Sequence, residues 1–175
     1  MKNLIVFFAL LGLPLFSCSD ALDVERDFSF SHEVIVSGDE STYFSSDLID
    51  LKEEVDVIEE YGDNIKDIDI KRIDLSVVRH NGPADQQITQ ARIEIADTDG
   101  SGPVEISSLN PISISALMNA PQALELNEEG LSKLNNLIKN APHSIRLVLV
   151  GEIDEAPADF TVKFDFEGRM VANPL

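Results

Sequence analysis

The oxygen-bearing side chains of one glycine-rich segment, Asp97-Thr98-Asp99-Gly100-Ser101-Gly102, have types and a spacing that could bind a metal ion. Ca²⁺ takes roughly six to eight oxygen ligands, and alternating oxygen side chains before a glycine supply them from a tightly turned chain. A regular loop of this kind also needs a bidentate acid at position 108, where the sequence has Ser108. Glycines beside an aspartate are equally common in hairpin turns. The segment is a candidate calcium site through Asp97, Asp99 and Ser101, with an ordinary turn as the alternative.

Motifs for catalysis are absent from the sequence. It contains no Gly-x-Ser-x-Gly elbow, Ser-x-x-Lys pair, His-Glu-x-x-His, Cys-x-x-Cys or phosphate-binding glycine loop. His32 falls on the apolar face of a predicted strand, where packing is its more common role, while His80 and His143 fall at strand edges or turns. No local pattern selects a carboxylate pair for glycoside cleavage. These observations favour a protein that is not an enzyme, and a hydrolase remains an alternative without a motif behind it.

The chain has a single cysteine, Cys18, and what precedes it reads as an export signal. Residues 1–17 contain Lys2 near the start, an apolar run from Leu4 to Leu15, and the small Ser17 before the predicted cut. The apolar run spans 12 residues. A membrane-spanning helix needs roughly twenty, so this run is too short to be a permanent anchor. The pattern predicts an exported chain that is cleaved between Ser17 and Cys18.

The four residues Leu15-Phe16-Ser17-Cys18 resemble the lipobox of bacterial lipoproteins, although Phe16 is larger than usual at its position. The resemblance implies a diacylglyceryl group on the Cys18 thiol and acylation, for example by palmitate, of the amine that cleavage frees. Two or more acyl chains give stable membrane attachment, because each buried CH₂ contributes ~0.8 kcal/mol. Ser19 rather than Asp follows the cysteine, which by analogy with enteric lipoproteins favours the outer membrane and leaves the leaflet open. An ordinary signal peptide with an incidental cysteine is the alternative.

The charge balance excludes some classes of partner. The sequence has 13 basic and 32 acidic residues, a net charge of −19. A nucleic-acid binder gains affinity by neutralising phosphates with Lys and Arg, so the charge argues against nucleic acid as a partner. It also argues against attachment to an anionic membrane through basic patches. What remains is a solubilising, self-repelling surface, or a surface for a cation or a cationic partner.

The chain length and composition predict one globular domain. Its 175 residues are 43% hydrophobic and 26% charged, with nine Phe and no Trp, so Ile, Leu and Val must supply most of the core. We predict a signal peptide over 1–17, a lipidated tether over 18–26 and a single domain over 27–175. A tether of that length keeps the domain within about 30 Å of the membrane.

Alternation of apolar and polar residues predicts several short strands and few helices. One strand, 65–78, keeps its apolar residues on one side only if a β-bulge lies near Lys71-Arg72. Helical spacing predicts helices over about 47–61 and 128–140, the second capped by Asn127. The pattern is typical of a mainly β protein, an antiparallel β-sandwich of immunoglobulin-like or similar type. The other predicted strands are 28–37, 91–95, 104–106, 112–114, an apolar central strand over 145–150, and 160–167.

These features together predict a membrane-anchored envelope lipoprotein that acts as a non-enzymatic binding or scaffolding module, with another envelope protein as its partner. The layout resembles small β-sandwich lipoproteins of Bacteroidota-type envelopes, a resemblance that carries no function. The alternative is a carrier for a lipid or other apolar ligand, with the 128–140 helix as a lid over an apolar cavity. The apolar stripe of that helix would equally serve the core.

Overall fold

A computed structural model describes residues 23–173. The predicted signal peptide, the lipobox with its cleavage site at Ser17 and Cys18, and the lipid-attachment residue Cys18 itself lie outside the described residues. None of the helices in residues 23–173 is long and apolar enough to span a membrane.

Two antiparallel sheets face each other, which confirms the predicted β-sandwich. Sheet A has the strand order β1-β9-β3-β7 and sheet B the order β2-β8-β4-β5, with β6 also paired to β4. The strands are β1 (Val24–Gly38), β2 (Thr42–Asp50), β3 (Ile65–His80), β4 (Gln87–Ala96), β5 (Val104–Leu109), β6 (Ile112–Ser113), β7 (Gln122–Ala123), β8 (Ser144–Ile153) and β9 (Ala158–Ala172). The helices are α1 (Leu51–Glu54), α2 (Asp56–Tyr61), α3 (Ile114–Asn119) and α4 (Glu128–Lys139), with a 3₁₀ turn at Gly62–Asn64.

Aromatic rings join the two sheets. The central strand of sheet A, β9, turns Phe160, Phe164 and Phe166 inward, and each is at most 1% exposed. Phe166 stacks on Phe30 of β1 with ring centroids 4.4 Å apart. From sheet B, Tyr43 meets Phe160 edge-on at 5.5 Å. Burying a side chain of this size stabilises the fold by about 1.5–3 kcal/mol, so this cluster is a large part of the core.

The β-bulge predicted near Lys71-Arg72 is confirmed. The register of β3 against β9 shifts between Ile70 and Arg72. Because one extra residue resets the alternation, the apolar residues before and after it all face the core. Each is at most 3% exposed: Ile68, Ile70, Ile73, Leu75 and Val77.

The apolar strand predicted over 145–150 lies in the interior of sheet B, as its composition indicates. It forms most of β8, which pairs with β2 on one side and β4 on the other. Ile145, Leu147 and Leu149 point inward and are at most 2% exposed. On the outward side of the strand Val148 is 7% exposed, whereas Arg146 and Val150 are partly exposed.

Helix α4 confirms the prediction for 128–140 and packs into the side of the sandwich. Asn127 caps it, its side chain accepting a hydrogen bond from the Glu129 amide at 2.9 Å. Leu134 and Ile138 are fully buried between β3 of sheet A and β5 of sheet B. At Gly130 the helix comes so close to β5 that an added Cβ would lie 2.3 Å from a backbone oxygen of that strand. The apolar stripe therefore serves the core.

The helix predicted over about 47–61 is only partly correct. Residues 47–50 belong to β2, which pairs with β8 as far as Asp50. Asp50 then caps α1 by accepting from the Lys52 amide at 3.0 Å, so helical structure begins only after it. The apolar residues that suggested the helix, Leu51, Val55 and Ile58, are buried as that spacing requires. The strand was missed because its last residues share the acidic-apolar mixture of the helices that follow.

Two further boundaries differ from the prediction. The strand predicted over 112–114 is β6 at Ile112–Ser113, and Ile114 opens α3 because it and Leu117 both pack into the core one helical turn apart. Residues 24–26, which the sequence places in the tether, belong to β1 because they pair with the end of β9. Strand β1 therefore includes three residues of the predicted tether.

Gly130→Ala tests the close approach of α4 to β5. In an exposed helix this change stabilises by up to about 1 kcal/mol. Here the added methyl group meets the backbone of β5, so we expect a loss of about 1–3 kcal/mol in the free energy of unfolding. Chemical denaturation measures it, with Ser132→Ala on the exposed side of the same helix as the control. An unchanged or raised stability of Gly130→Ala would contradict the packing.

Candidate functional site

The candidate calcium loop connects β4 to β5 as a tight hairpin. The Gly100 amide donates to the Asp97 carbonyl at 2.8 Å, and the Asp97 amide donates to the Ser101 carbonyl at 3.1 Å. Gly100 and Gly102 have φ angles of +87° and +57°, which only glycine adopts without strain. The glycines are therefore explained by the turn, whatever else the loop does.

The carboxylates of this loop already have partners within the protein. The Ser101 amide donates to Asp99 Oδ1 at 2.8 Å, and this bond holds the pKa of the Asp99 carboxyl below its usual value. The Lys133 ammonium, from α4, lies 3.3 Å from Asp97 Oδ1 and also donates to the Gly102 carbonyl. A lysine nitrogen thus stands beside Asp97 where a bound cation would compete with it.

The other side of the loop is held by Arg146 of β8. Its Nε and Nη2 donate to the Thr98 carbonyl at 3.1 and 2.8 Å. Within residues 23–173, no group of three or more His, Cys, Asp or Glu side chains is arranged to hold a metal ion. The structure therefore brings Asp97, Asp99 and Ser101 together as a hairpin clamped by two cationic side chains.

The first two histidines make separate local contacts. His32 lies on the core side of β1, as its parity predicted, with Nε2 3.7 Å from Asp47 Oδ2. His80, at the end of β3, has Nε2 2.8 Å from Gln86 Oε1. The two contacts have no residue in common, so they form no shared catalytic arrangement.

His143 is fully buried and connects three elements at one pole of the sandwich. Its Nδ1 lies 2.8 Å from the carbonyl oxygen of Ile138 in the last turn of α4. Since a carbonyl only accepts, Nδ1 carries the proton in this bond. The His143 carbonyl accepts from the Leu51 amide of α1 at 3.0 Å. Nε2 has no hydrogen-bond partner and lies 3.7 Å from Asp63 Oδ1 on the 3₁₀ turn.

Gln86 organises the opposite pole of the sandwich, a role that no pattern in the sequence predicts. The side chain is 1% exposed, and its amide nitrogen donates to the carbonyls of Glu155 and Pro157 in the β8–β9 turn. Its backbone carbonyl accepts from the Ile114 amide at the start of α3. A buried glutamine that satisfies several backbone groups is worth more than one hydrogen bond, because removing it leaves them all unpaired. Its role is structural.

The outer face of sheet A carries several ion pairs, and it also exposes two apolar side chains, Ile35 (62%) and Val78 (46%). Its ion pairs include Arg169 with Asp27 at 3.0 Å and Lys163 with Asp165 at 2.6 Å. Arg72 pairs with Asp74 at 2.8 Å. The acids on the polar side of β3, Asp67 and Asp69 among them, therefore lie on a solvated face.

The outer face of sheet B carries the most exposed large apolar side chain of the described residues, the ring of Phe44. Phe44 is 70% exposed and Leu48 is 51% exposed, and both point outward from β2. Val150 lies opposite Phe44 in the register with β8, and Val148 lies opposite Ser46 between the two. We call the surface formed by Phe44, Leu48 and Val150, with Val148, which is only 7% exposed, between them, the Phe44 face.

A shallow groove of about 450 Å³ adjoins the Phe44 face. Its polar lining includes Thr42 of β2, Gln90 and Arg92 of β4, and Glu152 of β8. Exposed apolar side chains next to a groove with polar edges are typical of a surface that contacts another molecule. Ile35 and Val78 of sheet A also lie beside a groove, but Phe44 is the larger and more exposed side chain, so we take the Phe44 face as the candidate binding surface.

Sequence reasoning missed the Phe44 face for an identifiable reason. Thr42, Tyr43 and Phe44 all favour strands, which is a signal for β2 that could have been read. Alternation alone does not decide whether Tyr43 or Phe44 points inward. The pairing of β2 with β8 decides it, since Tyr43 lies opposite Gly151 on the core side.

Comparisons with known proteins add little. No protein-family model and no curated protein matches the sequence. A solved structure from Desmodium yellow mottle tymovirus aligns with 98% of this chain and 95% of that chain, at 13% identity and a TM-score of 0.37. An alignment this weak indicates neither a common fold nor a common function, so the function has to be argued from the residues themselves.

A calcium titration tests the clamped hairpin. Because Lys133 already neutralises Asp97, we expect millimolar Ca²⁺ to leave the unfolding temperature of the wild-type chain unchanged. Lys133→Gln removes a partly exposed ion pair and a hydrogen bond to Gly102, which together contribute about 1 kcal/mol. Thermal unfolding with and without Ca²⁺ measures both effects. A saturable rise in the wild type that Asp97→Asn abolishes would establish a calcium site instead.

Proposed function

We propose that this chain is a lipid-anchored envelope protein whose β-sandwich is a non-enzymatic binding or scaffolding module for another envelope protein. The observation that carries the binding role is the Phe44 face, where a phenylalanine 70% exposed stands on an otherwise well-packed domain. Leaving such a side chain in water forgoes stabilisation that a buried position would give. A partner that covers it recovers that free energy.

The start of β1 sharpens the anchoring part of the proposal. Only residues 19–23 separate Cys18 from Val24, the first residue of β1. Five residues reach at most about 20 Å when fully extended. If Cys18 carries the lipid, the sandwich works next to its membrane, and Ser19 after the cysteine favours the outer membrane.

Local contacts support a role without catalysis. His80 and His143 are held by Gln86 and by the last turn of α4, and Asp97 is held by Lys133. These three side chains therefore already make structural contacts within the protein.

The packing of the interior favours binding at the surface over carriage of an apolar ligand. A carrier needs room between its sheets, but the rings of Phe30, Phe160, Phe164 and Phe166 already occupy that space. Phe164 and Phe166 lie 6.4 Å apart, and α4 contributes fully buried side chains of its own. Admitting a lipid would require these rings to separate.

Cys18→Ala tests the anchor. We expect the variant to lose the diacylglyceryl mass and to leave the membrane fraction, since the thiol is the proposed attachment atom. Mass spectrometry of the intact protein and fractionation of bacterial cells that express the full chain measure these two effects. Ser19→Ala is the control and keeps the lipid. A Cys18→Ala variant that retains the acyl mass would refute lipidation at this residue.

Photo-crosslinking in intact cells tests the binding role. We expect the wild-type full chain to give a reproducible crosslinked complex, and Cys18→Ala to give less of it because the partner is held at the same membrane. The identity of the complex is read by mass spectrometry. Crosslinkers placed over both outer faces that yield no complex at all would refute a binding or scaffolding module.

A further inference from the structure

The Phe44 face lies next to an acidic rim formed by two turns. The β1–β2 turn contributes Asp39 and Glu40, and Glu152 and Glu155 lie at the end of β8 and in the turn after it. A hydrogen bond of 2.8 Å from the Ile153 amide to the Ser41 carbonyl holds the turns together. All four acids are exposed, so the rim and the apolar face are available to the same partner.

The rim is uncompensated. Residues 38–50 and 151–159 contain no Lys or Arg, and none of the ion pairs among the described residues includes these four acids. Two cations lie near the face: Arg92, 3.7 Å from Glu94, and Arg146, which donates to the Thr98 carbonyl and keeps its charge. The four rim acids and Glu94 outnumber these two arginines, so the net charge around Phe44 is negative.

This charge selects among occupants of the Phe44 face. A second copy of the chain carries the same net charge of −19 and would bring one acidic rim against another. An anionic lipid surface is repelled for the same reason. A basic polypeptide is attracted over a distance and then held by apolar contact at the centre of the patch.

We propose that the Phe44 face and its acidic rim bind a cationic segment of another protein, with basic side chains on Asp39, Glu40, Glu152 and Glu155 and an apolar side chain against Phe44 and Leu48. The inference rests on the proposed function, because it names the partner chemistry of the same binding module. The groove beside Val150 receives the segment, and the ionic face of sheet A does not take part.

Direct binding to a synthetic probe tests the proposal on the purified full chain. The probe is a dye-labelled lysine-rich peptide that carries a pair of leucines, and fluorescence anisotropy measures its Kd. We expect saturable binding that weakens as salt is raised, because part of the attraction is between exposed charges. The same peptide with serines for its leucines, or with glutamates for its lysines, should bind much more weakly. Equal binding of the serine peptide would overturn the proposal, since the apolar face would then contribute nothing.

Matched variants locate the probe on the surface. Phe44→Ser should weaken binding about tenfold, the effect of losing an apolar contact of this size. Val78→Ser, which removes an exposed apolar residue from the outer face of sheet A, should leave the Kd unchanged. Phe44 is exposed, so thermal unfolding of Phe44→Ser should match that of the wild type. Equal effects of the two variants on the Kd would overturn the assignment to the Phe44 face.

Charge variants separate the contribution of the acidic rim to binding from that of the net charge. Glu40→Gln with Glu152→Gln should weaken binding and flatten its salt dependence. Glu53→Gln with Glu60→Gln makes the same change in net charge on α1 and α2, and should have little effect. If both pairs weaken binding equally, the attraction comes from the whole molecule and the proposed rim is wrong.

Two outcomes distinguish this inference from the proposed function. If a photo-crosslinker at position 78 captures a partner in cells and one at position 44 does not, the chain is still a binding module. The assignment of binding to the Phe44 face is then wrong. If neither position captures a partner, both proposals fail. Sedimentation that shows a dimer abolished by Phe44→Ser would also overturn the inference, because the occupant would then be a second copy.

Discussion

The aromatic contacts of β9 fix how the two sheets pack on each other. Which side chains face the core and which face solvent depends on these contacts. Phe166 stacks on Phe30 within sheet A, while Phe160 meets Tyr43 across the sandwich. The second contact requires Tyr43 to point inward. Since neighbouring residues of a strand point to opposite faces, it also requires Phe44 to point outward. The exposed apolar surface on sheet B is thus a consequence of how the core is built.

The two poles of the sandwich are organised by single buried polar residues. His143 joins α4 to α1 at the pole where β1 begins, and Gln86 joins the β8–β9 turn to α3 at the other. Each satisfies backbone groups that would otherwise be buried without partners. The strands between them need little more than apolar packing, which explains why so few polar contacts cross the core.

The sequence was informative where one face of a strand is buried and the other wet. The five apolar residues of β3 lie on both parities, and a bulge at Lys71-Arg72 was the one arrangement that buried them all. The sequence was less informative for Leu48. The residues next to it in the chain suit a helix as well as a strand, and Arg146, opposite which it pairs in sheet B, is distant in the sequence. Gln86 and Phe44 could not be assigned from the sequence, because their roles depend on pairings between strands far apart in it.

The antiparallel pairing of β1 with β9 has a mechanical consequence. The two strands pair along their whole length, from Val24 opposite Ala172 to Gly38 opposite Ala158. A membrane anchor before Val24 and a partner held on β2 would pull β1 along its own axis. Such a load acts on all the hydrogen bonds of the ladder at once, in shear, instead of opening them one after another from an end. If Cys18 is lipidated as proposed, β1 is therefore the strand best placed to transmit force between a membrane and a partner on β2.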